Sequence, residues 1–213
     1  MSFTLILEIV CFFTALLCLF KAKDNAWRGM IIYLFIVCLA EITGRQIRIA
    51  HHHNAWVYNI SLIAEALFNS LLFGSILKQY FKSKALILSG LALIFLVYIF
   101  DTISHGFLIF NDHTTTLMSV VFVIYSFYYY FLLIRDEHYT DLKQNASFWW
   151  ITGSLFFYFG STASNLFYGF LSGITLGSHN VTYTVNMALS ILLYGCWIYS
   201  FICKRWQQTR SGT

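Results

Sequence analysis

Apolar residues fill seven long stretches of this chain, separated by short polar turns: roughly 2–20, 28–49, 56–78, 85–105, 115–134, 148–172 and 182–203. A membrane-crossing helix needs about 20 largely apolar residues, so each stretch is predicted as one spanning helix. The few polar residues inside the stretches return every three or four positions, which is the period of an α-helix. The second stretch carries Glu41, Arg45 and Arg48, and the third Tyr58, Ser61, Glu65 and Asn69. The sixth carries Ser154, Tyr158, Ser161, Asn165, Tyr168 and Ser172; the seventh carries Tyr183, Asn186, Ser190, Tyr194 and Trp197. Stripes of polar and small residues point to neighbouring helices rather than lipid. The expected fold class is all-α: a seven-transmembrane-helix bundle forming a single domain over 1–213.

Composition agrees with that pattern. Hydrophobic residues make up 59% of the chain and charged residues 10%, whereas a soluble domain carries about 25% charged residues. The five cysteines all lie in apolar stretches without a C-x-x-C spacing, so they are read as small buried hydrophobes. The first stretch lacks a basic leader and a small-residue cleavage site and is read as a retained helix. The chain has no proline, which favours continuous helices, with local opening still available at Gly153, Gly160 or Gly169.

Charge sets the orientation, because Lys and Arg concentrate in cytoplasmic loops. With the N-terminus outside, Lys21, Lys23, Arg28, Lys78, Lys82, Lys84, Arg135, Lys143, Lys204, Arg205 and Arg210 all fall inside. Only Arg45 and Arg48 fall outside. Trp27, Trp149, Trp150 and Trp206 are expected at the inner interface and Trp56 at the outer one. The basic residues are accounted for by topology, and no nucleic-acid partner is needed. Tyr58-Asn59-Ile60 with Lys78, set against Val185-Asn186-Met187 with Lys204, allows a parallel three-plus-one-plus-three repeat.

Helical rise places Glu8, Glu41 and Glu65 roughly 9–14 Å below the outer surface. Arg45, Asp101, Asn165 and Asn186 lie nearer to it, at about 4–7 Å. Ionisable groups at membrane depth are costly and mark functional sites. Glu41 and Arg45, at i and i+4, can form an ion pair, and Glu65 must find an arginine, a proton or water. The two readings are a salt bridge that fixes the second and third helices and an outward-opening polar pocket that Glu65 shares with Arg45. Asp101 and His105, also at i and i+4, are a candidate acid–base or metal pair. With His51, His52, His53, His113 and His179 on the same side, zinc is conceivable, yet the spacings match no compact metal motif. Histidine also offers a response to external pH. No lysine lies in a helix core for a retinal Schiff base, and no G-x-S-x-G, H-E-x-x-H or Walker A motif occurs.

At Glu41-Ile42-Thr43-Gly44, Trp56-Val57-Tyr58-Asn59, Glu65-Ala66-Leu67-Phe68 and Phe157-Tyr158-Phe159-Gly160 the chain resembles a family of small, uncharacterised seven-helix inner-membrane proteins of Bacteroidota-type bacteria. The resemblance implies a multi-pass protein of a bacterial inner membrane and carries no activity with it. The function expected from the residues is a receptor or carrier that binds a small polar or amphipathic ligand from the outer side. Glu41, Arg45 and Glu65 supply charge there, and Tyr158, Asn165 and Asn186 orient the ligand. No cofactor is expected; the expected partners are membrane lipids, a small-molecule or lipid ligand and a protein within the membrane. The rival readings are a membrane-embedded lipid hydrolase or transferase using paired carboxylates or a His/Asp metal site, and a structural subunit of a membrane complex.

Overall fold

Among the described residues, side-chain caps set where some helices begin, and a glycine at positive φ sets where one ends. A computed structural model describes residues 3–50, 53–136, 141–167, 175–176 and 179–211. Among them are seven α-helices: α1 (Phe3–Leu19), α2 (Asn25–Ile49), α3 (Ala55–Leu77), α4 (Lys84–His105), α5 (Asp112–Arg135), α6 (Ala146–Leu166) and α7 (Val181–Ser211). A 3-10 turn spans Leu142–Gln144, and the two-residue strands Thr175–Leu176 and His179–Asn180 pair antiparallel. The architecture is helical, one helix to each predicted stretch.

Helices α2, α3, α4, α5 and α7 are long and apolar enough to cross a membrane. Helix α1 is apolar but has 17 residues. Helix α6 has 21 residues and is not among the five, because serine, threonine, glycine and tryptophan dilute its apolar content.

Some ends differ from expectation for local reasons. Helix α2 starts at Asn25, ahead of the expected 28, because the Asp24 carboxylate accepts the Ala26 amide at 2.9 Å. Such a cap satisfies a donor that the helix itself leaves open. Helix α4 ends at His105 as expected, because Gly106 follows with φ at +83°, a conformation that side chains with a Cβ resist. Helix α7 runs past the expected end at 203 to Ser211. Its last turns are held by Tyr199 donating to the Lys143 carbonyl, and by Gln207 and Arg210 donating to Gln144. Residues 168–174, which include Tyr168, Gly169 and Ser172, lie outside the described residues.

The chain divides into two compact units: Glu8–Met118, and Met1–Leu7 with Ser119–Thr213. In the first, α3 packs against both α2 and α4. In the second, α6 packs along α7. Gly153 and Gly160 allow that approach: a Cβ on Gly153 would stand 2.7 Å from the Cys196 Cβ, and one on Gly160 would stand 2.6 Å from Leu189. These two glycines are packing positions within a continuous helix, not points of local opening. Beside them the Trp150 and Trp197 rings stack at 5.7 Å, and the Trp197 indole N–H reaches the Trp150 carbonyl and Ser154 Oγ. Trp27 and Trp150, expected as interfacial anchors, are instead buried; their ring area packs against protein, and Trp206 stays exposed.

Candidate functional site

The polar stripes of α2 and α3 meet along the hairpin these two helices form. Near the α2–α3 turn, Tyr58 lies over Gly44, so closely that a Cβ there would stand 2.8 Å from the phenol oxygen. Asn54 closes the turn by donating to the Gly44 carbonyl at 3.1 Å. Tyr58 is within electrostatic reach of Glu41, Arg45 and Arg48, and Glu41 of both arginines. Further along the hairpin, Tyr33 hydrogen-bonds Asn69 and is within electrostatic reach of Glu65. The Tyr33 ring also contacts Phe68.

Helix α1 adds a third carboxylate. Glu8 is buried, and its charge reaches both Tyr33 and Tyr58 as well as Cys11 and Cys38. Each of three glutamates from three successive helices is thus within electrostatic reach of Tyr33 or Tyr58, and with Asn69 these residues form the polar column of the first unit. From Tyr58 to Asn69 the column covers about 16 Å of helix at 1.5 Å per residue. Beyond it, the buried side chains of α3 are Ser70, Leu72, Phe73, Ile76 and Leu77. Glu41, Arg45 and Glu65 are each half-buried, and Arg48 is exposed. An apolar cavity of about 180 Å³ lies on the same hairpin between Leu39, Thr43, Trp56 and Ile60; Glu41, Arg45 and Glu65 do not line it.

Sequence reasoning grouped Glu41, Arg45 and Glu65 and left Glu8, Tyr33 and Asn69 outside that group. The signal for Glu8 was its depth, equal to that of the other two glutamates.

The remaining expected residues lie in the second unit. Tyr158 is buried and packs edge-on against Phe122 at 5.0 Å. Asn165 and Asn186 are exposed.

Asp101 and His105 do stand together, and Asp101 also caps a helix. Asp101 is buried, and its Oδ2 accepts both the Thr114 amide at 2.9 Å and the Thr114 hydroxyl at 2.8 Å. Thr114 sits in the first turn of α5, so the carboxylate caps that helix from outside and faces its positive end. His105 Nδ1 is 4.0 Å from the other carboxylate oxygen, and its side chain is half exposed beside His113. Among the described residues no three His, Cys, Asp or Glu side chains are grouped to hold a metal; His51, His52 and His138 lie outside them.

The most heavily bonded buried side chain nearby is one that sequence reasoning passed over. Asn59, fully buried in α3, donates to the Phe107 carbonyl at 2.9 Å and to the Ile109 carbonyl at 2.8 Å. Its Oδ1 accepts the Asn111 amide at 3.1 Å, and Asn111 in turn donates to Thr102. One amide thus fixes the whole α4–α5 connection. The chain matches no family model, no characterised protein and no solved structure.

Proposed function

We propose that this chain is a receptor or carrier-like protein of a bacterial inner membrane that crosses the bilayer seven times with its N-terminus outside. It binds a small polar or amphipathic ligand along the column of Glu8, Glu41, Arg45 and Glu65, with Tyr33 and Tyr58 as hydrogen-bonding walls. The observation that carries this reading is that three glutamates, from α1, α2 and α3, each stand within electrostatic reach of Tyr33 or Tyr58 in a chain with 10% charged residues. Charged groups held in an apolar bundle are expensive, and a few placed polar groups in apolar surroundings give binding sites their specificity. The charged groups of the column end at Glu65, and past Asn69 and Ser70 the buried side chains of α3 are apolar, which favours a sensing role over an alternating-access carrier. The eleven basic residues on one side against Arg45 and Arg48 on the other support the orientation. A parallel three-plus-one-plus-three repeat fits the pairing of α2 with α3 and of α6 with α7.

Native mass spectrometry of the purified protein, followed by Glu41→Gln and Glu65→Gln, tests the site. Bound small molecules should fall at least tenfold in occupancy while the variants still accumulate and keep their melting temperature. Failure of both variants to accumulate would mean that the carboxylates only hold the hairpin together. Cysteines placed at Lys82 and Arg210 should resist labelling from outside intact cells; ready reaction would reverse the orientation.

A further inference from the structure

At the opposite end of the same hairpin, away from the α2–α3 turn, a cavity of about 410 Å³ lies between the end of α3, the start of α4 and the residue that caps α2. Ser70, Gly74 and Lys78 line it from α3, Ser83 and Lys84 from the start of α4, and Asp24 from ahead of α2. A second cavity, of about 650 Å³, continues from it along the α3–α4 turn, shares Lys78, Ser83 and Lys84 and adds Lys82.

The charge of this site is unbalanced. The one carboxylate, Asp24, is already engaged: its two oxygens accept the Ala26 amide and the Ser75 hydroxyl. Lys78, Lys82 and Lys84 are exposed, and among the described residues no carboxylate forms an ion pair with them. The first turn of α4 adds to the positive field, since Ser83 at its start gives its hydroxyl to the Gly74 carbonyl at 3.0 Å instead of capping the α4 amides. Helix amides left open in this way favour an anion.

Lysines on this side are expected from topology alone. Ser70 is not. It is 1% exposed, its Oγ has no hydrogen-bond partner, and it lines the cavity. Other helical hydroxyls of this chain, at Thr102, Ser126, Ser154 and Thr162, bond back to the carbonyl four residues earlier. Ser70 leaves that bond unmade and keeps a donor for something in the cavity. The remaining wall is apolar, with Leu71 and Leu88 exposed at 57% and 64% on its rim. An occupant that satisfies all of this has an anionic head, with acceptor oxygens for the lysines, the α4 amides and Ser70, and hydrocarbon for the leucines.

We infer that the cavity binds an anionic phospholipid, its phosphate held by Lys78, Lys84 and Ser70 at the start of α4 and its acyl chains lying along Leu71 and Leu88. Basic pockets at the cytoplasmic ends of membrane helices bind acidic headgroups in this manner.

The test uses the full chain in detergent, measuring thermal stability and native mass spectra as phosphatidylglycerol, phosphatidylcholine or inorganic phosphate is added. Phosphatidylglycerol should raise the melting temperature and remain bound in the spectra; phosphatidylcholine and inorganic phosphate should do neither. Each lysine near an anionic headgroup is worth about fivefold in affinity, so Lys78→Gln with Lys84→Gln should weaken phosphatidylglycerol roughly thirtyfold. Both side chains are exposed, so the unliganded melting temperature should not move. Ser70→Ala should weaken the same lipid severalfold without changing the response to phosphatidylcholine. Equal responses to the two lipids, or unchanged phosphatidylglycerol binding in the double lysine variant, would overturn the inference. A response to inorganic phosphate matching that to phosphatidylglycerol would overturn its assignment to a lipid.

Discussion

Replacing Asn59 should loosen the α4–α5 connection more than any other single change there. Its side chain makes three hydrogen bonds, to the Phe107 and Ile109 carbonyls and from the Asn111 amide, and is 0% exposed. A buried hydrogen bond contributes about 1 kcal/mol net in soluble proteins and about 0.6 kcal/mol in membrane bundles. Three of them give about 2–3 kcal/mol for Asn59→Ala, or roughly a 30- to 150-fold shift in the equilibrium between closed and open loop. The Tyr98 hydroxyl, which donates to the Asn59 backbone carbonyl, keeps its partner. Asn59→Asp provides the internal control. It retains an oxygen for the Asn111 amide but turns a second oxygen toward two carbonyls, so it should destabilise more than alanine despite being nearly isosteric. Equilibrium unfolding in detergent measures the cost. Chymotrypsin cleavage reports the local opening, because Phe107, Leu108 and Phe110 are exposed while the backbone around them is pinned. If Asn59→Ala costs less than about 0.5 kcal/mol and Asn59→Asp is the milder of the two, the three-bond account of this loop is wrong.

The α6–α7 seam offers a graded test. Gly153→Ala pushes a methyl against the Cys196 Cβ and the Leu193 carbonyl and should cost about 1–3 kcal/mol in unfolding experiments. Gly160→Ala meets the branched end of the Leu189 side chain rather than backbone, should cost less, and should be rescued by Leu189→Ala. At the start of α5, Asp101→Ala removes the partner of the Thr114 amide and hydroxyl and should cost about 1–2 kcal/mol; the metal content of the purified protein should not change, and loss of a bound metal would contradict the capping role. Gly44→Ala drives a methyl into the Tyr58 ring and should lower the melting temperature, with Tyr58→Leu partly restoring it.

Periodicity in the sequence was enough to find the helices and to place Glu41, Arg45 and Glu65 on α2 and α3, because a 3.6-residue repeat is a local property that each helix carries by itself. It also set their distance along each helix from the α2–α3 turn, since rise per residue is fixed. Partners across helices are another matter. Asn59 bonds to residues 48 and 50 positions away, and nothing in its own helix distinguishes it from an amide that glues two spans together. Asp101 reads as a partner of His105 along the chain, and one carboxylate oxygen does face it, but the other is taken up by Thr114 in the next helix. Gly153 and Gly160 read as possible breaks until Cys196 and Leu189 stand against them. A helical period states which side a residue faces, but only the packing of the helices decides what stands opposite. For that reason Glu8 joins the column, and Ser70 is left with an unused hydroxyl, only in three dimensions.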